Sequence, residues 1–191
     1  MYSFRNDYSE GAHPKVLQAL ADTNLRQTVG YGMDPCCQAA ADTIRRLCAA
    51  PDAAVHFLVG GTQVNLVTID AFLQSYEAVV AAQTGHVSTH ETGAIEATGH
   101  KVCTVESPDG KLTPALVESV LAGHNGTEHM VLPRIVYISD TTEIGTVYTR
   151  AELAALRQCC DVHGLFLYLD GARLGSALTS PAVSYTHLRA H

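Results

Sequence analysis

The chain has 191 residues, of which 47% are hydrophobic and 16% charged. That is the balance of one globular domain, or of a large piece of one, and it excludes a disordered chain. Twelve basic residues against nineteen acidic ones give a net charge of −7, which argues against a nucleic-acid or anionic-membrane surface. No apolar run approaches the ~20 residues of a membrane span. The opening residues, Met1 to Asp7, carry no apolar signal region, so a cytoplasmic protein is expected. The six cysteines (Cys36, Cys37, Cys48, Cys103, Cys159 and Cys160) form two adjacent pairs and two singles. Without a CxxC framework they read as reduced, partly buried thiols.

Residues 1–54 read as helical, with a turn at Gly30-Tyr31-Gly32-Met33-Asp34-Pro35. An alternation of strands and helices starts near residue 55. The apolar run Val55-His56-Phe57-Leu58-Val59 ends in Gly60-Gly61 and predicts a buried strand. Apolar residues near a helical period predict a helix over 62–75, and a second apolar run predicts a strand over 78–82. Residues 90–98 predict a short helix stopped at Gly99. Strands are expected at 102–105, 135–138 and 165–169. Thr113-Pro114 opens a helix reaching about residue 121, with proline in its first turn. Thr149 caps another through about residue 162, ended by Gly164. Strands alternating with helices imply a mostly parallel α/β sheet with both faces covered, a three-layer sandwich.

Ligands of such sheets gather at the carboxyl ends of the strands. Gly60-Gly61-Thr62-Gln63-Val64-Asn65 lies at such a point. Its glycines let a ligand approach, and a helix start offers free N–H groups and a hydroxyl to a phosphate. It lacks the lysine of a P-loop and the spacing of a dinucleotide fingerprint, so a structural turn is an equal reading. Asp170 ends an apolar strand, where a carboxylate needs a partner, either Arg173 or a cofactor. His86 and His90, four apart and followed by Glu91, would share a helix face. No third metal ligand is evident beside them, and no metal is expected.

Taken in order, Phe4-Arg5-Asn6-Asp7, Tyr31-Gly32-Met33-Asp34-Pro35, Gly60-Gly61-Thr62-Gln63-Val64-Asn65, His86 with Glu91-Thr92-Gly93-Ala94-Ile95, Gly99-His100-Lys101-Val102 and Leu169-Asp170-Gly171-Ala172-Arg173-Leu174 resemble the low-specificity L-threonine aldolases. These are members of the β-eliminating lyase branch of the fold-type-I enzymes that use pyridoxal phosphate. The resemblance covers about residues 4 to 178. It implies the major domain of that fold, incomplete here, and an aldehyde-lyase that cleaves threonine, allo-threonine or a related β-hydroxy amino acid to glycine and an aldehyde. It also implies site roles. Gly61 and Thr62 hold the cofactor phosphate with Asn65 nearby. His86 stacks on the pyridine ring and acts as base near the substrate β-hydroxyl. Asp170 pairs with the protonated pyridine nitrogen, and Arg173 lies beside the cofactor. Asn6 touches the substrate carboxylate, and Tyr31 reaches a neighbouring subunit's site, so a homodimer or homotetramer is expected.

The sequence departs from this pattern in two places. Thr142, in Ser139-Asp140-Thr141-Thr142-Glu143, stands where many of these aldolases have a pocket histidine. Enzymes of this type also attach the cofactor to a lysine, whereas Lys15, Lys101 and Lys111 all precede Asp170. The expected organisation is a helical segment at 1–54, a partial cofactor-binding large domain at 55–180, and a small domain absent from the chain. Residues 181–191 fall outside the resemblance, and the last nine look like a translated sequencing-library adapter. On this reading the chain as written does not catalyse the parent reaction. The competing expectations are another fold-type-I enzyme (β-eliminating or aminotransferase-like), a non-catalytic α/β binding module, and a metal-dependent hydrolase using His86, His90 and Glu91.

Overall fold

The computed structural model describes residues 3, 5–124 and 126–180. The expected foreign tail at 181–191 lies outside the described residues. The chain divides between Ala41 and Asp42 into two compact units. The first contains α1 (Pro14–Thr23), which starts on Pro14 with the His13 ring accepting from the Lys15 amide. The helix α2 (Pro35–Leu47) runs across the division. Its start is fixed by the Asp34 carboxylate, which accepts from the amides of Cys36 and Cys37 at 2.8 and 3.0 Å. The Cys37 thiol first, and then these amides, hold the Asp34 carboxyl below its usual range.

The second unit is built on four parallel strands: β1 (Glu77–Ala82), β2 (Lys101–Val105), β3 (Leu132–Ser139) and β4 (Phe166–Asp170). Their order across the sheet is β2-β1-β3-β4. The apolar runs of β1 and β3 are continuous because both faces are covered. Alternation splits them between two cores. Val80, Ala82, Val136 and Ile138 pack under α6 (Pro114–Gly123) and α7 (Arg150–His163), with Val117, Leu153, Leu156 and Cys160. Val79, Ala81, Ile135 and Tyr137 pack on the other face with Ile69 and Leu73, from α3 (Gly61–Phe72) and the residue that ends it. Helices on both faces of a parallel sheet give the expected three layers.

Local chemistry explains the helix limits. Thr113 and Thr149 cap α6 and α7, and Thr149 forms a reciprocal box with Glu152. Gly164 ends α7 in the left-handed region at φ 65°, which a β-carbon would strain. Two expectations need correction. Residues 55–59 form no strand: no ladder partner reaches them among the described residues, and Phe57, Leu58 and Val59 are exposed. An apolar run becomes a strand only where a neighbour satisfies its backbone. Of the helix expected over 90–98 only the single turn α5 (Ala94–Ala97) forms, and a separate turn, α4 (His86–Thr89), precedes it. They are separated at Gly93, which sits at φ 76°. The last turn, α8 (Leu174–Ala177), follows β4. Among the described residues no helix is long and apolar enough to cross a membrane.

Tyr148 joins the loops around α6 to the core. It is buried, and its hydroxyl accepts from the Leu112 amide at 2.6 Å. Tyr148→Phe leaves that amide buried without its acceptor and is expected to destabilise the chain by about 1–3 kcal/mol. Denaturant unfolding measures the loss, and a change under about 0.5 kcal/mol would count against a dry, satisfied core at this point.

Candidate active site

The strand order reverses direction between β1 and β3: from β1 the chain moves outward to β2, and from β3 it moves the other way to β4. Loops leaving neighbouring strands in opposite directions open a crevice at their carboxyl ends. His86 follows β1, Glu143 follows β3 and Asp170 closes β4. The Glu143 carboxylate ties the two loops at the crevice by accepting from the His86 amide at 3.1 Å and the Ser139 hydroxyl at 2.7 Å.

Sheet register brings the polar groups together. Tyr137 pairs with Tyr168 and Ser139 with Asp170 across β3 and β4. Tyr168 and Asp170 are two apart and share a face, the one covered by α3. Tyr137 and Tyr168 stack with ring centres 5.4 Å apart. The Tyr137 hydroxyl donates to Asp170 Oδ2 at 2.6 Å, and the Tyr168 hydroxyl donates to Asn65 Oδ1 at 2.7 Å. Asn65, one turn into α3, is buried. Its amide nitrogen donates to Asp170 Oδ2 at 3.1 Å and to Glu91 Oε1 at 2.6 Å. One side chain thus uses its acceptor and both donors. Asp170 Oδ1 accepts from the Ala172 amide at 2.9 Å.

Glu91 is fully enclosed, and its Oε1 also lies 2.7 Å from His86 Nδ1. A carboxylate oxygen can only accept, so the proton in this contact sits on His86 Nδ1. Glu91 Oε2 is buried with no partner among the described residues. Burial and the Asp170 charge push the Tyr168 phenol up to about 12, and the same causes raise Tyr137 further. Both phenols therefore stay protonated and donate.

The structure gathers three of the expected site residues, Asn65, His86 and Asp170, around one hydrogen-bonded cluster. Gly61 and Thr62 open α3, one turn ahead of Asn65. Gly60 precedes them at φ 81°, and a β-carbon on Gly60 or Gly61 would meet open space. The first amide in the helix ladder is that of Val64, bonded to Gly60 O, so the amides of 61–63 lie outside it. Arg173 comes three residues after Asp170, at the residue that precedes α8. Asn6 and Tyr31 belong to the first unit. Asn6 Oδ1 accepts locally from the Tyr8 amide and the Ser9 hydroxyl, and Tyr31 is exposed at φ 64°.

Thr142 is buried and its hydroxyl pairs with that of Thr146 at 2.7 Å, closing a turn. His90 ends α4 with its ring edge against His86. The third metal-ligating group that the sequence left unseen is Asp170, whose carboxylate lies within 4.8 Å of the ligand atoms of His86 and Glu91. Donors from Asn65 and Tyr137 both fall on Asp170 Oδ2, so Oδ1 is the less occupied oxygen of that carboxylate. Sequence reasoning missed Tyr137, Tyr168 and Glu143, and missed Glu91 as the brace of His86. The Tyr168–Asp170 spacing was the one available signal.

The fold and this cluster define a member of the beta-eliminating lyase family, whose model matches residues 4–190; the chain belongs to it. It is 37% identical over 176 residues to the low specificity L-threonine aldolase of Pseudomonas sp. (strain NCIMB 10558), covering 91% of this chain and 50% of that one. Among solved structures it superposes on a threonine aldolase of Leishmania major with a TM-score of 0.95 and 54% identity, covering 98% of this chain and 55% of that chain. An aspartate aminotransferase from Rhizobium meliloti shares the fold alone, with a TM-score of 0.64, 16% identity and coverage of 85% and 41%. The chain spans about half the length of the curated relatives it matches.

The raised phenols predict a stability profile. A group with a raised folded value contributes fully below its unfolded value, here 10.0, and loses its contribution as pH rises through the folded one. The denaturation midpoint is expected to fall above about pH 10, and less steeply in Tyr168→Phe. Parallel profiles for the two proteins would contradict the burial of this phenol.

Proposed function

We propose that residues 55–180 are the cofactor-binding part of a pyridoxal-phosphate-dependent aldehyde-lyase that cleaves threonine, allo-threonine or a related β-hydroxy amino acid to glycine and an aldehyde. The observation that carries the reading is Asp170 held by Asn65 and Tyr137 in the same cluster as His86, one helical turn from a glycine-led helix start. The curated relatives with that activity lend the substrate class. A cytoplasmic, homo-oligomeric enzyme, with Tyr31 serving a neighbouring subunit and Asn6 the substrate carboxylate, belongs to the same reading.

The residues suit the cofactor. The free amides of 61–63 and the Thr62 hydroxyl suit a phosphate at the positive end of α3. Asp170 offers about four lone-pair sites, of which Ala172, Asn65 and Tyr137 take three. The fourth, on Oδ1, remains for a pyridine N–H. When bound, pyridoxal phosphate supplies a cationic ring that takes up the electron pair released as the Cα–Cβ bond breaks. Asp170 keeps the ring nitrogen protonated. His86 Nε2 takes the β-hydroxyl proton as the aldehyde carbonyl forms, and Glu91 fixes the ring tautomer that leaves Nε2 free. Arg173 supplies positive charge beside the anionic cofactor.

Neither lysine of the second unit is arranged to join this site. Lys101 opens β2, at the amino end of the parallel sheet. Lys111 is held by Glu152 at 2.5 Å, and Lys15 lies in the first unit. The chain is therefore proposed to bind the cofactor without a covalent link and without turnover. A hydrogen bond to a charged group contributes about 1.5–3 kcal/mol, or roughly 10- to 150-fold in affinity. Titrating the chain with pyridoxal phosphate is expected to give saturable binding that Asp170→Ala weakens by that factor, with Thr149→Ala as a folded control away from the site. Equal affinity in both variants would sink the assignment of Asp170. In a protein that extends this chain to its relatives' length, glycine and acetaldehyde from L-threonine support the aldolase reading, whereas 2-oxobutanoate and ammonia would replace it with β-elimination.

A further inference from the structure

On the sheet face opposite α3, the last two turns of α7 meet α6. Cys159 and His163 are four apart on α7 and so share one helix face. Glu118 faces them from α6, with Oε1 3.9 Å from His163 Nε2. The ligand atoms of all three lie within 4.8 Å of one another. We propose that Glu118, Cys159 and His163 form a surface site for a borderline divalent cation of the zinc class, distinct from the cofactor cluster.

The donor set selects the ion. A thiolate, an imidazole and a carboxylate match zinc, which takes S, N and O ligands at about 2.0–2.3 Å, whereas magnesium and calcium prefer oxygen alone. Tetrahedral ligation at those bond lengths brings ligand atoms to roughly 3.3–3.7 Å apart. The two outer ligands can close the remaining gap, because the Glu118 and His163 side chains are 59% and 37% exposed and free to turn. Cys159 is buried at the base of the site and supplies the rigid point. Binding balances as one metal–sulfur bond formed, the Cys159 thiol proton released to solvent, and a water completing the fourth position. The dication is then matched by one thiolate and one carboxylate, so the site carries no net charge. The carbonyl end of α7 adds a partial negative charge beside it. Burial and the Glu118 charge raise the Cys159 thiol, so affinity falls as pH falls.

The test is a Zn²⁺ titration of the 191-residue chain, with thiols kept reduced, in competition with a chromophoric chelator. His163→Gln and Glu118→Gln change exposed side chains and are expected to keep the parent circular dichroism. Each should weaken zinc by about tenfold or more, at least what losing an outer-shell partner costs. With Co²⁺ in place of zinc, a sulfur-to-metal charge-transfer band is expected that Cys159→Ser removes. Zinc affinity unchanged in both His163→Gln and Glu118→Gln, or a cobalt band that survives Cys159→Ser, would overturn the site.

Discussion

The carboxamide of Asn65 is the contact on which the cluster depends. It is buried, it reaches from α3 to Asp170 on β4, and it reaches Glu91 in the loop between α4 and α5. The buried Glu91 and the half-buried Asp170 carboxylates repel at this distance, and each would be costly without donors. The amide donates to both, and the Tyr168 hydroxyl fixes which way it points. The directions of both carboxylates follow from that arrangement. Asp170 has a set direction and a spare lone pair, and His86 has a set tautomer.

The parallel sheet is the second constraint. Because all four strands run the same way, the loops after β1, β3 and β4 emerge at one edge. Residues 86, 91, 143 and 170 can then converge although they are far apart in the chain. The switch in direction between β1 and β3 leaves space there, and the opening of α3 faces that space through Asn65. Glu118, Cys159 and His163 lie on the other face, where α6 and α7 meet the sheet and present a different donor set.

The sequence was most readable where local chemistry decides the outcome. Thr149 with Glu152, Thr113 with Pro114, and Gly164 marked helix ends that the structure keeps. The apolar runs at 78–82, 102–105, 135–138 and 165–169 became β1 to β4 because each has a ladder neighbour. The run at 55–59 has the same composition but no ladder partner among the described residues, so composition misled there. The helix expected at 90–98 is shortened to Ala94–Ala97 because Gly93 takes a left-handed turn just before it. Asp170 and His86 could be singled out as chemistry-bearing. Tyr137, Tyr168 and the bracing role of Glu91 could not, because they depend on register and on contacts between residues up to 105 apart.

The central claim is that Asp170, oriented by Asn65 and Tyr137, holds a protonated pyridine nitrogen. The most direct measurement is the nitrogen-15 chemical shift of ring-labelled pyridoxal phosphate bound to the chain near neutral pH. The account predicts a protonated ring nitrogen in the parent chain and an unprotonated one in Asp170→Asn, with Asn65→Ala falling between them. A ring nitrogen with the same shift in the parent chain and in Asp170→Asn would contradict it.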